Sequence, residues 1–269
     1  DSMARTPQIA SGFMRQLASP LAVEQKREAA ELQAQIKAEG GNFELKPWDW
    51  DYYSEKLRKA KYDLNQDELK PYFEIHNVLE KGVFEAAHQM YGLTFKKRTD
   101  IPVYHPDVMV YEVFEENGQP LGLAYFDYWK RDNKRGGAWM SNFVGQSKLF
   151  GTKPVVYNVA NFTKPAAGQP ALVTFDDVTT MFHEFGHALH GMFNQSRYPG
   201  LTRVPRDFVE YPSQVNEVWA DWPSVLANYA RHYQTGAPMP RDLLDKVARA
   251  KRFNQGYMTV SYLAAAIVD

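Results

Sequence analysis

The spacing of apolar residues changes twice along the chain, and each change marks a change of element. Over residues 1–40, Ile9, Phe13, Leu17, Leu21, Leu32 and Ile36 recur at helical spacing until Gly40-Gly41 stops the pattern. Pro20 predicts a break or kink near Ser19. The Ala-, Glu-, Gln- and Lys-rich stretch 22–39 carries only a thin apolar stripe and reads as a solvated helix. Helical spacing resumes over 51–61 and 66–91 and ends at Gly92. From Thr94 the period shortens to alternation. Phe95–Arg98, Val108–Glu115, Leu121–Trp129, Trp139–Phe143 and Val155–Val159 predict strands, with Leu172–Thr174 as a further short one. Asn117-Gly118 signals a hairpin between the second and third of these. Helical spacing returns after residue 175, over the stretch around 183–189, then 207–234, 241–252 and 254–268. In 207–234 the expected buried side comprises Val209, Val215, Val218, Trp219, Trp222, Leu226 and Tyr229, with Pro212 tolerated in the first turn. The fold class is therefore mainly α with a small β-sheet (α+β). Residues 1–92 are helical, 93–175 hold the sheet and 176–269 are helical again. No linker divides the 269 residues, which read as one region.

Composition excludes more than it identifies. At 44% hydrophobic and 23% charged the chain is ordinary globular material. A net charge of −1 gives no electrostatic case for nucleic acid or an anionic membrane surface. No apolar run approaches the roughly 18 residues of a membrane span. Cysteine is absent, which removes disulfides and thiolate chemistry and fits a cytoplasmic setting, with the periplasm as the alternative.

Chemistry enters at D-V-T-T-M-F-H-E-F-G-H-A-L, residues 177–189. Within it, His183, Glu184 and His187 form H-E-x-x-H. On a helix, residues four apart share a face one turn apart, so both imidazoles can reach one cation. Glu184 projects close enough to touch a water on that cation but is poorly placed to be a ligand. That is the arrangement of a zinc hydrolase. Thr174 with Asp177 makes a capping-box start, and Asp176 and Asp177 suit the helix dipole. Val178, Met181, Phe182, Phe185 and Leu189 supply an apolar face. Gly186 is a poor helix former, which suggests that something packs closely there. A catalytic zinc keeps three protein ligands and one open position. The third ligand should be a downstream carboxylate or imidazole. Glu210, at the start of the next patterned helix, and Glu217, two turns along the same face, both qualify. His190 reads as packed or hydrogen-bonded near the site, because a fourth protein ligand would close it.

H-E-F-G-H-A-L-H-G-M-F and P-R-D-F-V-E-Y-P-S-Q-V-N-E resemble the thimet oligopeptidase family of metallopeptidases, in particular its peptidyl-dipeptidase branch. Residues 125–144, 151–165 and 47–53 carry the likeness further. The resemblance implies a zincin-like core of a helical peptidase, with Glu210 as the third zinc ligand; Glu217 then reads as a carboxylate beside the ligands, as His190 reads as an imidazole beside them. It implies hydrolysis of oligopeptides, with Glu184 as general base and release of C-terminal dipeptides; an oligopeptidase-type endopeptidase is the alternative. It also implies that peptide contacts fall on Gly137, Ala138, Trp139 and Met140. Tyr198–Val204 is shorter than the corresponding family loop, and family members are considerably longer than this chain. The sequence therefore reads as a central catalytic core, whose partners would include the remaining segments of its own parent chain and an oxyanion-stabilising tyrosine or histidine from them.

Two rival readings follow from the residues: a zinc-binding but inactive module, and a metal-free helical interaction protein. The cluster Lys130, Arg131, Lys134 and Arg135 reads as a solvated turn, with recognition of a substrate carboxylate as its rival. Trp48, Trp50, Tyr52 and Tyr53 read as interhelix packing, with a substrate patch as theirs.

Overall fold

The computed structural model describes residues 4–250 and 252–268. Residues 1–3, Lys251 and Asp269 lie outside the described residues; the first three begin the first expected helix, and Lys251 falls within the expected helix 241–252. In chain order, α1 (Pro7–Ala38) and α2 (Trp50–Tyr62) come first. The short pieces α3 (Gln66–Leu69) and α4 (Ile75–Asn77) follow, and a π-turn, Val78–Val83, leads into α5 (Phe84–Tyr91). Five strands come next: β1 (Thr94–Lys97), β2 (Met109–Phe114), β3 (Pro120–Trp129), β4 (Trp139–Val144) and β5 (Val155–Phe162). The chain then forms α6 (Phe175–Met192), α7 (Glu210–Glu217), α8 (Pro223–Tyr229), α9 (Arg241–Ala250) and α10 (Gln255–Val268). About half the residues are helical beside a single mixed sheet, the α+β class. Among the described residues no helix is long and apolar enough to cross a membrane.

These elements fall into two compact units, residues 1–65 with 240–269, and residues 66–239. In the first unit, α10 packs along α1. The buried Glu28 carboxylate accepts from Gly256 N (3.0 Å) and Tyr257 N (2.7 Å), satisfying orphan donors at the start of α10. Gly256 permits that approach, since a Cβ there would stand 2.8 Å from Gln25 N. Trp50 stacks on Tyr257 at 3.9 Å between ring centroids and donates its Nε1–H to Asn254 Oδ1 (2.7 Å).

Three expectations fail in instructive ways. α1 runs unbroken through Pro20. That residue is exposed, so the Gln16 carbonyl it cannot bond faces water rather than an apolar core. Of the aromatic patch, only Trp50 is buried; Trp48 is 79% exposed and Tyr52 60%. The expected helix 207–234 is three pieces, α7, a 3-10 turn Val218–Ala220, and α8. Pro223 holds Trp222 in extended backbone (ψ 125°) and breaks the run. Val215, Val218 and Trp222 are exposed against expectation, while Ser213, Ala220, Val225 and Tyr229 are buried.

In the second unit the sheet order is β1-β2-β3-β5-β4. β1/β2, β2/β3 and β4/β5 are antiparallel and β3/β5 is parallel. The stretch expected as a sixth strand near Leu172 makes only a single bridge, to Glu74. β4 therefore ends the sheet, with no strand on its outer side among the described residues. α6 packs on one face of the sheet, chiefly across β5 and β4. Phe126 packs against Phe185 of α6 (6.2 Å between centroids), and Phe84 and Phe95 complete that aromatic core.

Candidate metal centre

α6 begins where its sequence says it should. Thr174 Oγ1 accepts from Asp177 N (3.1 Å), and Asp177 Oδ2 accepts from Thr174 N (2.9 Å), a reciprocal capping box. Val178, Met181, Phe182, Phe185 and Leu189 are all buried, which turns His183 and His187 toward α7. Gly186 sets how close α7 comes. A Cβ there would stand 2.7 Å from Ser213 Cα and 2.9 Å from Pro212 O. α6 is also tied on both sides by asparagine amides. Asn216 of α7 donates to Phe182 O (2.6 Å), and the buried Asn158 of β5 donates to Glu184 O (2.9 Å).

This packing brings three of the expected residues together. His183 Nε2 and His187 Nε2 lie 3.2 and 3.1 Å from one oxygen, Glu210 Oε2. One ligand atom from each of His183, His187 and Glu210 falls within 4.8 Å of the other two. Glu217 goes elsewhere: its Oε1 accepts from His183 Nδ1 at 2.6 Å. That bond has a consequence for the other ring nitrogen. A neutral imidazole with its proton on Nδ1 carries a lone pair on Nε2. Two acceptors, His183 Nε2 and Glu210 Oε2, then face each other and require a cation or a proton between them. Donors about 2.0–2.2 Å from a tetrahedral zinc lie roughly 3.3–3.5 Å apart, close to the separations here. The donor set thus fits a zinc ion in both spacing and chemistry.

Glu184 is 6% exposed, and its Oε2 is buried with no hydrogen-bond partner. Burial raises its carboxyl to about 7, against the opposing pull of His183 and with help from the Glu210 charge. Burial also lowers the His187 imidazole below its ordinary value, although Glu210 opposes this. His190 stands one turn on, edge-to-face with Phe208 at 6.3 Å, outside the converging set. Trp139 and Met140 open the edge strand β4, and Gly137 precedes them with φ +86°, a conformation that glycine adopts without strain. Met140 pairs with Asn158, whose amide holds Glu184 O, so this edge is level with Glu184.

Spacing alone did not reveal Ser213, Asn158 or Asn216. The fully buried Ser213 hydroxyl lies 2.9 Å from Glu210 O and 3.0 Å from Glu210 Oε2 and donates to either, steadying the carboxylate. Its i+3 offset from Glu210 was the available signal.

A Gly186→Ala substitution tests the close approach. Alanine gains about 1 kcal/mol of helix propensity, but overpacking against backbone costs about 1–3 kcal/mol, so lower stability and weaker metal binding are expected. At Gly191 the one close contact of a Cβ would be the flexible tip of Met140, with Asn142 and Val156 at ordinary contact distance, so Gly191→Ala should perturb metal binding less. Thermal melts and zinc titrations of the two variants would settle the ranking, and equal behaviour would refute it.

Two imidazoles and a carboxylate, converging beside a buried glutamate on a capped helix, are of the kind that holds a divalent cation for hydrolysis. The chain belongs to peptidase family M3, which it matches over residues 1–269. It is 53% identical to dipeptidyl carboxypeptidase of Escherichia coli (strain K12) over 100% of this chain and 40% of that protein. It is 43% identical to oligopeptidase A of Salmonella typhimurium over 99% of this chain and 40% of that protein. The chain thus spans about 40% of the length of these relatives.

Proposed function

We propose that these residues form the catalytic core of a zinc metallopeptidase that releases C-terminal dipeptides from oligopeptides. The observation that carries this reading is the convergence of one ligand atom each from His183, His187 and Glu210 within 4.8 Å of one another, an arrangement that a cation would satisfy. His183, His187 and Glu210 would hold zinc. Bound there, zinc polarises a peptide carbonyl and acidifies water toward a pKa of about 7.

The remaining steps belong to the chain's own groups. Glu217 holds the Nδ1 proton of His183 and so keeps Nε2 turned to the cation. Glu184, as general base, takes a proton from the attacking water on its carboxylate and delivers it to the leaving amine. Its burial suits that task, since a base with a pKa near the working pH both accepts and returns a proton. An extended peptide adds to the outer edge of β4 through main-chain hydrogen bonds, with Gly137, Ala138, Trp139 and Met140 along the contact. The higher identity to a dipeptidyl carboxypeptidase than to an oligopeptidase favours removal of dipeptides over internal cleavage.

The test uses the whole protein and an unblocked peptide, with products identified by mass spectrometry. Stripping the metal should abolish cleavage, and zinc should restore it, with fragments shortening two residues at a time from the C-terminus. Turnover that survives complete metal removal would refute the zinc site. Cleavage at internal bonds, equally fast on a C-terminally amidated peptide, would replace C-terminal dipeptide release with endopeptidase action.

A further inference from the structure

We propose that Asp127 is a positioning residue for substrate binding, the anchor from which the peptide-docking edge β4 is hung; this rests on the peptidase reading. Asp127 is 2% exposed and lies near the end of β3, in the same row of the sheet as Val159 and Trp139. Both its oxygens accept from Arg131, at 2.6 Å each, a bidentate pair. Tyr104 donates to Oδ2 (2.9 Å) and Lys134 to Oδ1 (3.2 Å). Three backbone carbonyls, of Asp127, Trp129 and Ala160, complete the acceptors around Lys134 Nζ, whose side chain is only 7% exposed. Half of the basic cluster expected to be a solvated turn is therefore internal, and Arg131 and Lys134 are not available to a substrate carboxylate. The physical reason is the single buried aspartate, which those two cations compensate.

This cluster fixes a difficult piece of chain. Residues 130–138 must cross from β3 past β5, so that β4 can pair antiparallel on the far side. Arg131 and Lys134 fasten the first half of that crossing to Asp127. Asn161 fastens the second half, its amide donating to Arg135 O and Gly137 O at 2.7 Å each. Tyr104 connects Asp127 to β4 from the other flank, because its ring packs edge-on against Phe143. These ties reach β4 from the β5 side, α6 packs on its face, and no strand covers its outer edge among the described residues. The groups that touch Asp127 are separate from His183, His187, Glu210 and their hydrogen-bond partners. Loss of the aspartate should therefore loosen the docking edge and leave the metal in place. A displacement of about 1 Å in a docking element is enough to cost up to about a hundredfold.

The experiment measures peptide affinity and chemistry separately in the whole, zinc-loaded protein. A fluorescent oligopeptide is titrated onto Glu184→Gln protein with and without Asp127→Asn, and kcat and KM are measured for Asp127→Asn alone. The expected result is a Kd and a KM raised about ten- to a hundredfold, kcat within about threefold, and stoichiometric zinc. Hydrogen exchange should rise in 130–144 and not in 175–192. Arg131→Lys keeps the charge count and half the bidentate pair. It should give a smaller rise in KM, and it serves as the test if Asp127→Asn does not fold. Unchanged Kd and KM, or a fall in kcat with parallel loss of zinc, would overturn the inference. If Glu184→Gln protein binds no peptide at all, the peptidase reading itself fails and this inference with it.

Discussion

Glu184→Gln is expected to keep its zinc and lose hydrolysis. Glutamine has the size of glutamate but cannot accept a proton at working pH. None of the three converging donors belongs to residue 184, so the cation should stay. General-base catalysis contributes about 10²–10⁴-fold, and the drop in kcat should fall in that range. The effect on stability should be small. Glu184 Oε2 is buried without a partner, and an amide end placed there is no better satisfied. Burial disfavours the charged carboxylate that the change removes, which offsets the unsatisfied amide, so stability should shift by no more than about 1–3 kcal/mol. Elemental analysis and kcat/KM on one peptide decide the matter. A variant that loses zinc would make residue 184 part of the metal site; one that keeps most of its activity would leave the base unidentified.

Much of α6 was legible because its signals are local. Thr174 and Asp177 cap each other within three residues, and the apolar face recurs within the helix. Five of the six expected strands were legible for the same reason and lie close to their expected places, whereas Leu172–Thr174 forms only a single bridge. The order of the strands was not, because the parallel pairing of β3 with β5 and the placement of β4 at the edge depend on contacts far apart in sequence. Helix breaks were misjudged where the surroundings of a proline decided its effect. Pro20 does not break an exposed helix, whereas Pro223 does break one whose apolar spacing continues across it. Charge was misread at 130–135 because Asp127, the partner of Arg131 and Lys134, sits inside a strand pattern that gave no hint of a buried acid. Within the candidate site, the helical spacing of His183 and His187 foretold that they share a face. It could not choose between Glu210 and Glu217, which lie two turns apart on one patterned stretch. Packing separates them atom by atom: one reaches Nε2 of both imidazoles, and the other reaches Nδ1 of His183 alone. Asn158, Asn216 and Ser213 had no sequence signal strong enough to single them out, since each acts through a neighbour that only the tertiary fold supplies.

Glu210→Ala is expected to weaken zinc binding far more than Glu217→Ala. The first removes one of three converging donors, leaving two imidazoles and no anion to balance the cation. The second leaves all three donors and removes the acceptor for the Nδ1 proton of His183. Loss of such an orienting partner typically costs about 10–100-fold in metal affinity. Loss of a ligand should exceed the top of that range, so the two variants separate in a competition with a chelator of known affinity. Glu217→Gln sharpens the comparison. Its amide oxygen still accepts from Nδ1, so most of the affinity should return without the charge. Ser213→Ala should fall below all of these, because it removes only a hydroxyl that steadies the Glu210 carboxylate. If Glu217→Ala proves the weaker zinc binder, the third ligand is Glu217 and the lone-pair argument at His183 is wrong. If Glu217→Gln binds no better than Glu217→Ala, the contribution of that residue is its charge and not the tautomer it fixes.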